Sequence, residues 1–415
     1  MNSQEKILRS LRKASKTLAL LNENEKTALL YAIANALISQ KDEILNANEL
    51  DLQTNKNLNF AMRQRLKLTP ALLENLASNT RKIANLPEII NVIQKGYKAP
   101  SGIDIARISV PIGVILAIYE SRPDVSVQIA SLCIKSANAC ALKGGKEARN
   151  TNLAIINAIN TAFKEQNIAS SVLYLDINRD EITKLLARDD LFDLVVPRGG
   201  YELIKSVSEH SKIPVLKHDK GLCHIFVDEK ADLDKALKIV LNAKLSHPAA
   251  CNAVETLLIH SSVADLFLSR LHCEILKSKK DFEFFVCDKT AKIPAFTNAK
   301  KADDKAFSTE YNELKLNIKI VTSLNEALEH IERFGSGHSE AIISEDYSAC
   351  QRFLCAVDAA CVYANASTRF SDGGEFGFGG EIGISTNRLH ARGPVGLEGL
   401  CSYKYIIYGQ GQIRE

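Results

Sequence analysis

The residue best suited to covalent chemistry is Cys251, in the segment HPAACNA at residues 247–253. Of the ten cysteines, only Cys251 lies in a turn of small residues that also contains a proline. A thiolate in such a turn is accessible, and backbone N–H groups beside it can stabilise an oxyanion. Most free cysteines are small core residues, so a buried structural cysteine is the alternative, and the spacing alone leaves both open.

Two glycine pairs follow short apolar runs that are typical of buried strands. Gly144 and Gly145 lie in the segment KGGK, and Gly199 and Gly200 end the segment PRGG. Glycines at the carboxyl ends of parallel strands let a cofactor approach the backbone. The sequence has no GxGxxG fingerprint, and ordinary tight turns are the alternative for each pair.

His338 and Glu340 bring an imidazole and a carboxylate into the glycine-rich segment FGSGHSE at residues 334–340. Because this segment follows a predicted helix, a binding loop and a solvated helix C-cap are both compatible with it. The chain has no GxSxG motif, and its scattered Ser, His and Asp residues do not define a hydrolase triad.

The elements that must position these residues alternate between strands and helices after a helical region of about 90 residues. The first series of predicted strands lies at 112–119, 140–142, 172–175 and 191–196. Its first helix starts at Ser121, and the later helices cover 153–163, 181–187 and 201–208. This alternation is typical of a doubly wound parallel sheet.

A second series of the same kind begins near Ala231. Its predicted helices lie at 236–243 and 324–334, and its strands at 255–259, 314–321, 341–343 and 360–363. Residues 370–383 are rich in glycine and are predicted to form a loop against a ligand or a domain edge.

Composition excludes several classes of protein. The chain has 415 residues, 52 Lys plus Arg against 49 Asp plus Glu, and a net charge of +3, so no nucleic-acid partner is expected. The apolar run from Ile108 to Tyr119 is too short for a spanning helix, and no membrane association is expected. No CxxC pair or zinc-like Cys/His spacing occurs, so we expect no metal. The charged first residues and the unpaired cysteines predict a reduced, cytoplasmic protein.

Four segments together resemble the gamma-glutamyl phosphate reductase family, a branch of the aldehyde dehydrogenase superfamily. They read YESRP at 119–123, CNAVETLL at 251–258, VTSLNEALEHIERFGSGHSEAI at 321–342 and LHARGP at 389–394. The segments follow the family order, and the resemblance covers nearly the whole chain. It implies an α/β, aldehyde-dehydrogenase-like fold with two doubly wound parallel-sheet domains and a β-arm for oligomerisation.

The resemblance also implies a division of the chain. Residues 1–230 are expected to bind NADP, with residues 97–108 in the β-arm, and residues 231–364 are expected to form the catalytic domain. Residues 365–397 are expected to return to the cofactor domain, and 398–415 to form an oligomerisation strand. An unpaired edge that is short, apolar and aromatic invites aggregation. Ser402–Ile407 is therefore predicted to pair outside its own domain, with the arm near Tyr97–Ile108 or with the sheet of a second subunit.

The implied reaction is the NADPH-dependent reduction of L-glutamate 5-phosphate to L-glutamate 5-semialdehyde and phosphate, the second step of proline biosynthesis from glutamate. The semialdehyde cyclises spontaneously to 1-pyrroline-5-carboxylate. The implied partners are this substrate, further copies of the chain in a dimer or tetramer, and the glutamate 5-kinase that makes the labile phosphate.

The resemblance assigns two catalytic residues. Cys251 matches the family nucleophile, whose thiolate displaces phosphate and forms a thioester that hydride reduces. Ser121 falls where the wider superfamily has an oxyanion-hole Asn, and the Cys251 N–H is a further donor. The general-base Glu of the hydrolytic relatives is missing from KHDKG at residues 217–221, which favours reduction over hydrolysis.

The resemblance also assigns binding residues. Lys146 stands where NAD-using relatives carry a Glu, so its ammonium is expected to meet the 2′-phosphate of NADP, and Glu310 matches the Glu that holds the nicotinamide ribose. The expected cofactor contacts are Lys143, Gly144, Gly145, Lys146, Gly199, Gly200 and Glu310. The expected substrate contacts are Arg122 for the phosphate, Arg369 for the carboxylate, Glu340 for the ammonium, and Asn252 and His338.

Two rival functions are weighed beside this one. An acylating reductase of the same superfamily would take a CoA thioester in place of an acyl phosphate, and a substrate assay separates the two. A non-catalytic oligomeric scaffold would keep the fold, but its loss of function would be expected to show at Cys251 or in the segment around His338, and both are present.

Overall fold

The computed structural model describes residues 3–217 and 220–414 as two compact units. The first unit contains residues 3–217, 377–383 and 394–414, and the second contains 220–376 and 384–393. The sequence prediction put the main boundary at 230 and returned all of 365–397 to the first domain. The boundary lies earlier because the strand Cys223–Val227 pairs with Val254–His260 and Ser339–Ile343, in the second sheet.

The elements are numbered in chain order. The helices are α1 (Ser3–Leu18), α2 (Glu23–Ser39), α3 (Lys41–Thr54), α4 (Phe60–Leu66), α5 (Pro70–Ala84), α6 (Pro123–Lys135), α7 (Arg149–Glu165), α8 (Arg179–Leu185), α9 (Tyr201–His210), α10 (Leu233–Leu245), α11 (Ala264–Lys277), α12 (Asp304–Phe307), α13 (Leu324–Phe334) and α14 (Tyr347–Ala356). The strands are β1 (Ile93–Lys98), β2 (Asp104–Pro111), β3 (Val114–Tyr119), β4 (Ala139–Lys143), β5 (Val172–Tyr174), β6 (Leu194–Arg198), β7 (Cys223–Val227), β8 (Val254–His260), β9 (Glu283–Val286), β10 (Lys300–Lys301), β11 (Lys315–Val321), β12 (Ser339–Ile343), β13 (Cys361–Ala364), β14 (Ile384–Ser385), β15 (Gly393–Pro394) and β16 (Cys401–Tyr408).

The first unit contains a parallel sheet with the strand order β5-β4-β3-β6. Strand β3 is buried along its whole length, as its continuous apolar run predicts. The chain runs from β3 to β4 and β5 on one side and returns to β6 on the other. In such sheets ligands bind beyond the carboxyl ends of the strands, where the strand order reverses. Here that point lies between β3 and β6.

The second unit contains a parallel sheet with the order β10-β9-β11-β8-β7-β12-β13. Strands β7 and β8 lie at its centre, and side chains of α10 and α11 pack on it through an apolar cluster that includes Val240, Phe267 and Leu271. The sequence analysis predicted β8, β11 and α13 closely but did not predict β7, β9, α11 or α14. The predicted α/β fold class is confirmed.

The first unit also carries an antiparallel sheet with the order β1-β2-β16. Strand β16 pairs with β2 along its length, from Cys401 opposite Pro111 to Tyr408 opposite Asp104. The predicted pairing of the C-terminal strand with the arm is therefore observed, but both strands belong to the first unit, so the strand does not pair outside its own domain. This sheet exposes large apolar side chains, among them Ile93, Tyr405 and Ile407. Within the described part of the chain, no helix has the length and apolar character that crossing a membrane requires.

Candidate active site

In the first unit, the carboxyl ends of β3, β4 and β6 bring three predicted segments to one edge of the sheet. Ser121 and Arg122 follow β3, the Lys143–Lys146 segment ends β4, and Gly199 and Gly200 follow β6. Because parallel strands end on the same edge, segments that are far apart in sequence become neighbours there.

Side chains link these three segments. The Ser121 hydroxyl donates to Glu147 Oε2 at 2.6 Å, which joins the end of β3 to the turn after β4. The Gly200 N–H donates to Glu120 Oε1 at 2.7 Å, which joins the end of β3 to the end of β6. The Ser121 proton is thus shared with a carboxylate inside the unit, so this geometry does not support the expected oxyanion contact from its hydroxyl.

The glycines at this edge are required by close packing. A Cβ at Gly144 would lie 2.3 Å from Asn152 Nδ2, and one at Gly145 would lie 2.7 Å from Ser121 Oγ. A Cβ at Gly199 would lie 2.7 Å from Glu120 Oε1. A side chain at Gly144 or Gly145 would have to displace Asn152 or Ser121, whereas one at Gly199 would meet the flexible side chain of Glu120.

Three cations border the same edge. Lys143 is half-buried and donates to the Gly144 carbonyl oxygen at 2.7 Å, and burial lowers the pKa of its ammonium. Lys146 is exposed at the start of a short 3-10 turn. Arg122 is exposed at the N-cap of α6, with its guanidinium 3.5 Å from Asp124 Oδ2. Lys146 and Arg122 are thus accessible to an anion.

In the second unit, the candidate residues lie at the amino ends of the strands, whereas those of the first unit lie at the carboxyl ends. Strands β11, β8, β7 and β12 are consecutive neighbours, and the segments just before their amino ends contain Glu310, Cys251, Gly221 and His338 respectively. Because the strands are parallel, these four segments share one edge of the sheet.

Cys251 is half-buried in the loop between α10 and β8. The thiol of Cys223, on β7, donates to the Cys251 carbonyl oxygen at 3.3 Å. A Cβ on Gly221 would lie 2.1 Å from that same oxygen. Residues at the start of β7 therefore contact the main chain of Cys251 and fix its position. Of the other nine cysteines, six are buried, Cys223 among them, Cys287 is half-buried, and Cys273 and Cys355 are exposed on helices.

Asn252 fixes the loop beyond β13 to the cysteine turn. The residue is 4% exposed. Its side-chain Nδ2 donates to the Ser371 carbonyl oxygen at 2.9 Å, and its Oδ1 accepts from the Arg369 guanidinium. Thr368 Oγ1 donates to the Asn252 carbonyl oxygen at 2.7 Å. Both ends of the amide are thus used within the chain, which supports a positioning role in place of the substrate contact expected from the sequence.

Arg369 lies beside the cysteine loop. Its Nε donates to Ser246 Oγ at 3.3 Å, and its other guanidinium contact is Asn252. The side chain is half-buried, so a cation lies next to the segment that carries the thiol.

His338 is fully buried at the end of a hydrogen-bonded chain. Its Nδ1 lies 2.9 Å from Ser339 Oγ, which lies 2.6 Å from Ser371 Oγ, which in turn lies 2.7 Å from the Tyr363 hydroxyl. The same Nδ1 is 3.7 Å from the Cys223 sulfur. His338 therefore belongs to the support behind the cysteine turn.

Glu340 differs most from the sequence expectation. It is 1% exposed, and its Oε2 accepts from the His224 N–H at 2.8 Å and lies 2.9 Å from His224 Nδ1. The reason is that residues 339–343 form the strand β12 between β7 and β13, so Glu340 faces the interior. This position does not support the expected contact with a substrate ammonium.

Glu310 connects back to the cysteine turn. Its carboxylate accepts a hydrogen bond from the Gly221 N–H, and burial raises its pKa. Because Gly221 packs directly on Cys251, one glycine joins the expected ribose-binding carboxylate to the expected nucleophile.

Gly221 and Cys223 were given no role in the site on the basis of the sequence. A sequence signal did exist, because a glycine directly precedes the apolar run LCHIFV at residues 222–227, which is typical of a buried strand. The segment that lacks the general-base Glu includes residues 218 and 219, which lie outside the described residues.

Comparisons with known proteins give a consistent result. Residues 2–306 match the aldehyde dehydrogenase family. The chain is 47% identical to the gamma-glutamyl phosphate reductase of Nautilia profundicola over 413 residues, which cover 99% of each chain. It is 47% identical to that of Aliarcobacter butzleri over 421 residues, covering 99% of this chain and 100% of the relative. The crystal structure of gamma-glutamyl phosphate reductase from Thermotoga maritima is 39% identical, with a TM-score of 0.96 and full coverage of both chains.

Proposed function

Because the chain belongs to the aldehyde dehydrogenase family, among its gamma-glutamyl phosphate reductases, we propose that it reduces L-glutamate 5-phosphate to L-glutamate 5-semialdehyde and phosphate with NADPH. The observation that carries the proposal is the Cys251 turn. Its thiol is half-buried, and its main chain is fixed by packing against Gly221 and by the hydrogen bond from Cys223.

Cys251 acts as the nucleophile. Its thiolate attacks the acyl carbon, the C–S bond forms, and the bond from that carbon to the phosphate oxygen breaks, so that phosphate leaves with the electron pair. NADPH, when bound, supplies the hydride that reduces the thioester. The resulting hemithioacetal loses its C–S bond, which releases the aldehyde and restores the thiolate.

The residues of the first unit fit a phosphorylated dinucleotide. The glycine backbone at the ends of β4 and β6 carries no side chains, and Lys146 is an exposed cation beside it. Lys146 therefore holds the 2′-phosphate, with Lys143 as the second cation, and the four glycines border the cofactor. In the second unit, Glu310 holds the nicotinamide ribose.

The substrate contacts are cationic. Arg122, exposed at the start of α6, binds the phosphate, and Arg369, beside the cysteine loop, binds the carboxylate. Asn252 accepts from Arg369 and positions it beside the cysteine turn, while His338 and Glu340 contact Cys223 and His224 on β7.

The exposed apolar side chains of the β1-β2-β16 sheet support oligomerisation through this arm. Isolated exposed edges of this kind invite pairing with another chain. The oligomer is a dimer or a tetramer, which sedimentation distinguishes.

A coupled assay tests the proposed function. Glutamate kinase, glutamate and ATP generate the labile substrate in place, and NADPH oxidation is followed by absorbance. The reverse reaction, from semialdehyde, NADP⁺ and phosphate, avoids the labile substrate. It should require phosphate, and CoA should not replace it. Turnover with CoA and without phosphate would favour the thioester reductase instead.

A further inference from the structure

A buried ion pair spans the two ends of the loop that carries Cys251. Lys244 lies in the last turn of α10, and Glu255 is the second residue of β8. Their charged groups are 2.9 Å apart, and each side chain is 2% exposed. The loop between them contains the nucleophile proposed above.

Glu255 also contacts a third segment. Its Oε2 meets Lys244, while its Oε1 accepts the Asn312 N–H at 3.3 Å. Asn312 has a φ of 56°, a left-handed conformation that Asn tolerates better than most residues. Glu310 lies two residues earlier and accepts from Gly221.

This pair has no evident explanation in stability. Taking two charges out of water costs several kcal/mol per ion, and apolar residues of similar volume often serve as well or better. Such a pair does fix the relative positions of the segments that carry it, because its hydrogen bonds are directional and both charged groups must stay paired. The Glu255 carboxylate joins the helix before Cys251, the strand after it and the segment that carries Glu310.

We propose that Glu255, with Lys244 as its counter-ion, is a positioning residue that fixes the Cys251 turn relative to the Glu310–Asn312 segment. The inference rests on the proposed function, in which Cys251 is the nucleophile and Glu310 holds the nicotinamide ribose. Glu255 touches neither substrate nor cofactor. It fixes the position of Cys251 relative to Glu310, two residues that must act together on the substrate and the cofactor.

The test compares Glu255→Gln with a matched control, Glu88→Gln. Glu88 also pairs with a buried lysine, Lys26, at 2.6 Å, and also accepts backbone N–H groups, but it lies in the first unit. Both changes remove the counter-charge of a buried ammonium, so both should lower the melting temperature. Only Glu255→Gln should weaken NADPH binding and lower kcat, by up to about 100-fold, because small displacements of reacting groups have effects of that size.

The measurements are the NADPH dissociation constant by cofactor fluorescence, kcat and KM in the reverse reaction, and the rate of Cys251 alkylation by iodoacetamide. For Glu255→Gln we expect weaker NADPH binding, a lower kcat, an altered alkylation rate and an unchanged KM for the semialdehyde. A Glu255→Gln enzyme that loses stability like the control but keeps the wild-type values would overturn the proposal.

A second variant covers the case in which Glu255→Gln does not fold. Lys244→Met combined with Glu255→Leu removes both charges and fills the space with apolar groups. It should fold but bind NADPH weakly and turn over slowly, and wild-type values in this variant would also overturn the proposal. If the wild type itself fails to oxidise the semialdehyde, the proposed function fails, whereas NADPH affinity and alkylation still decide the positioning role.

Discussion

The α-carbon of Gly221 packs directly against the main chain of Cys251. A Cβ on Gly221 would lie 2.1 Å from the Cys251 carbonyl oxygen and 2.8 Å from its Cα. Real Cβ atoms do not approach main-chain atoms so closely, so any side chain at residue 221 must displace the turn that carries the thiol.

Gly221→Ala should therefore impair catalysis more than folding. Overpacking of this kind costs about 1–3 kcal/mol, and displacement of the nucleophile should lower kcat by up to about 100-fold. Steady-state kinetics and thermal unfolding measure the two effects. Gly96→Ala is the matched control, since a Cβ there would be 3.9 Å from its nearest neighbour. Equal kinetics in the two variants would argue against the packing constraint.

Lys146→Glu should change cofactor preference. A charge-assisted contact with the 2′-phosphate is worth about 1.5–3 kcal/mol, a preference of about ten- to a hundredfold. We expect kcat/KM for NADPH to fall by that factor, while kcat/KM for NADH stays unchanged or rises, because a carboxylate repels the phosphate and accepts from ribose hydroxyls. Since Lys143 lies nearby and can compensate, the double variant is the stricter test. An unchanged NADPH-to-NADH ratio in both variants would locate the phosphate elsewhere.

Deletion of the residues after Gly399 should destabilise or dissociate the oligomer. The deletion removes β16, exposes the edge of β2 and takes away the Leu400 carbonyl that accepts from buried Asn138 at 2.8 Å. Deletion after Tyr408 is the control, because it leaves β16 intact. Sedimentation velocity and thermal unfolding measure the result. A protein truncated after Gly399 that keeps the full-length sedimentation coefficient and melting temperature would refute the role of this strand.

Glu340→Gln should alter the pH dependence of stability. Burial raises the pKa of Glu340 above its usual value of 4.5, so the native state holds this proton more tightly than the unfolded chain. The carboxyl's contribution to stability is thus greatest below pH 4.5 and is lost as the pH rises through the native pKa. Wild type should lose stability relative to Glu340→Gln as the pH rises above 4.5, as measured by urea unfolding. Parallel curves above that pH would mean that the pKa of Glu340 is the same in the native and the unfolded chain.

Periodicity predicted the amphipathic helix α13 better than it predicted the short buried strand β7. Helix α13 was predicted at its observed bounds, Leu324–Phe334. Its start is fixed in the fold by the N-cap residue Ser323, whose hydroxyl accepts from the Glu326 N–H. Strand β7 was missed because its polar His224 interrupts a short apolar run, although the pairing with Glu340 satisfies that side chain in the fold.

The sequence indicated which residues belong to the candidate site better than it indicated what each contacts. Glu340 was placed in a loop because glycines precede it, and only the pairing of β12 with β7 explains its burial. The Lys244–Glu255 pair is likewise invisible in the sequence, because two residues on either side of a loop meet only when that loop has its folded shape.

The most direct test of the account is a single-turnover experiment in the reverse direction without phosphate. Semialdehyde and NADP⁺ are mixed rapidly with wild type or Cys251→Ala, NADPH formation is followed, and acid-quenched samples are digested for mass spectrometry. Cys251→Ala is first checked for retained NADPH binding. For the wild type we expect a burst of NADPH equal to the enzyme concentration and a glutamyl adduct on the peptide that contains Cys251, and we expect neither in the variant. A burst in Cys251→Ala, or an adduct on another cysteine of the wild type, would contradict the assignment of Cys251 as the nucleophile.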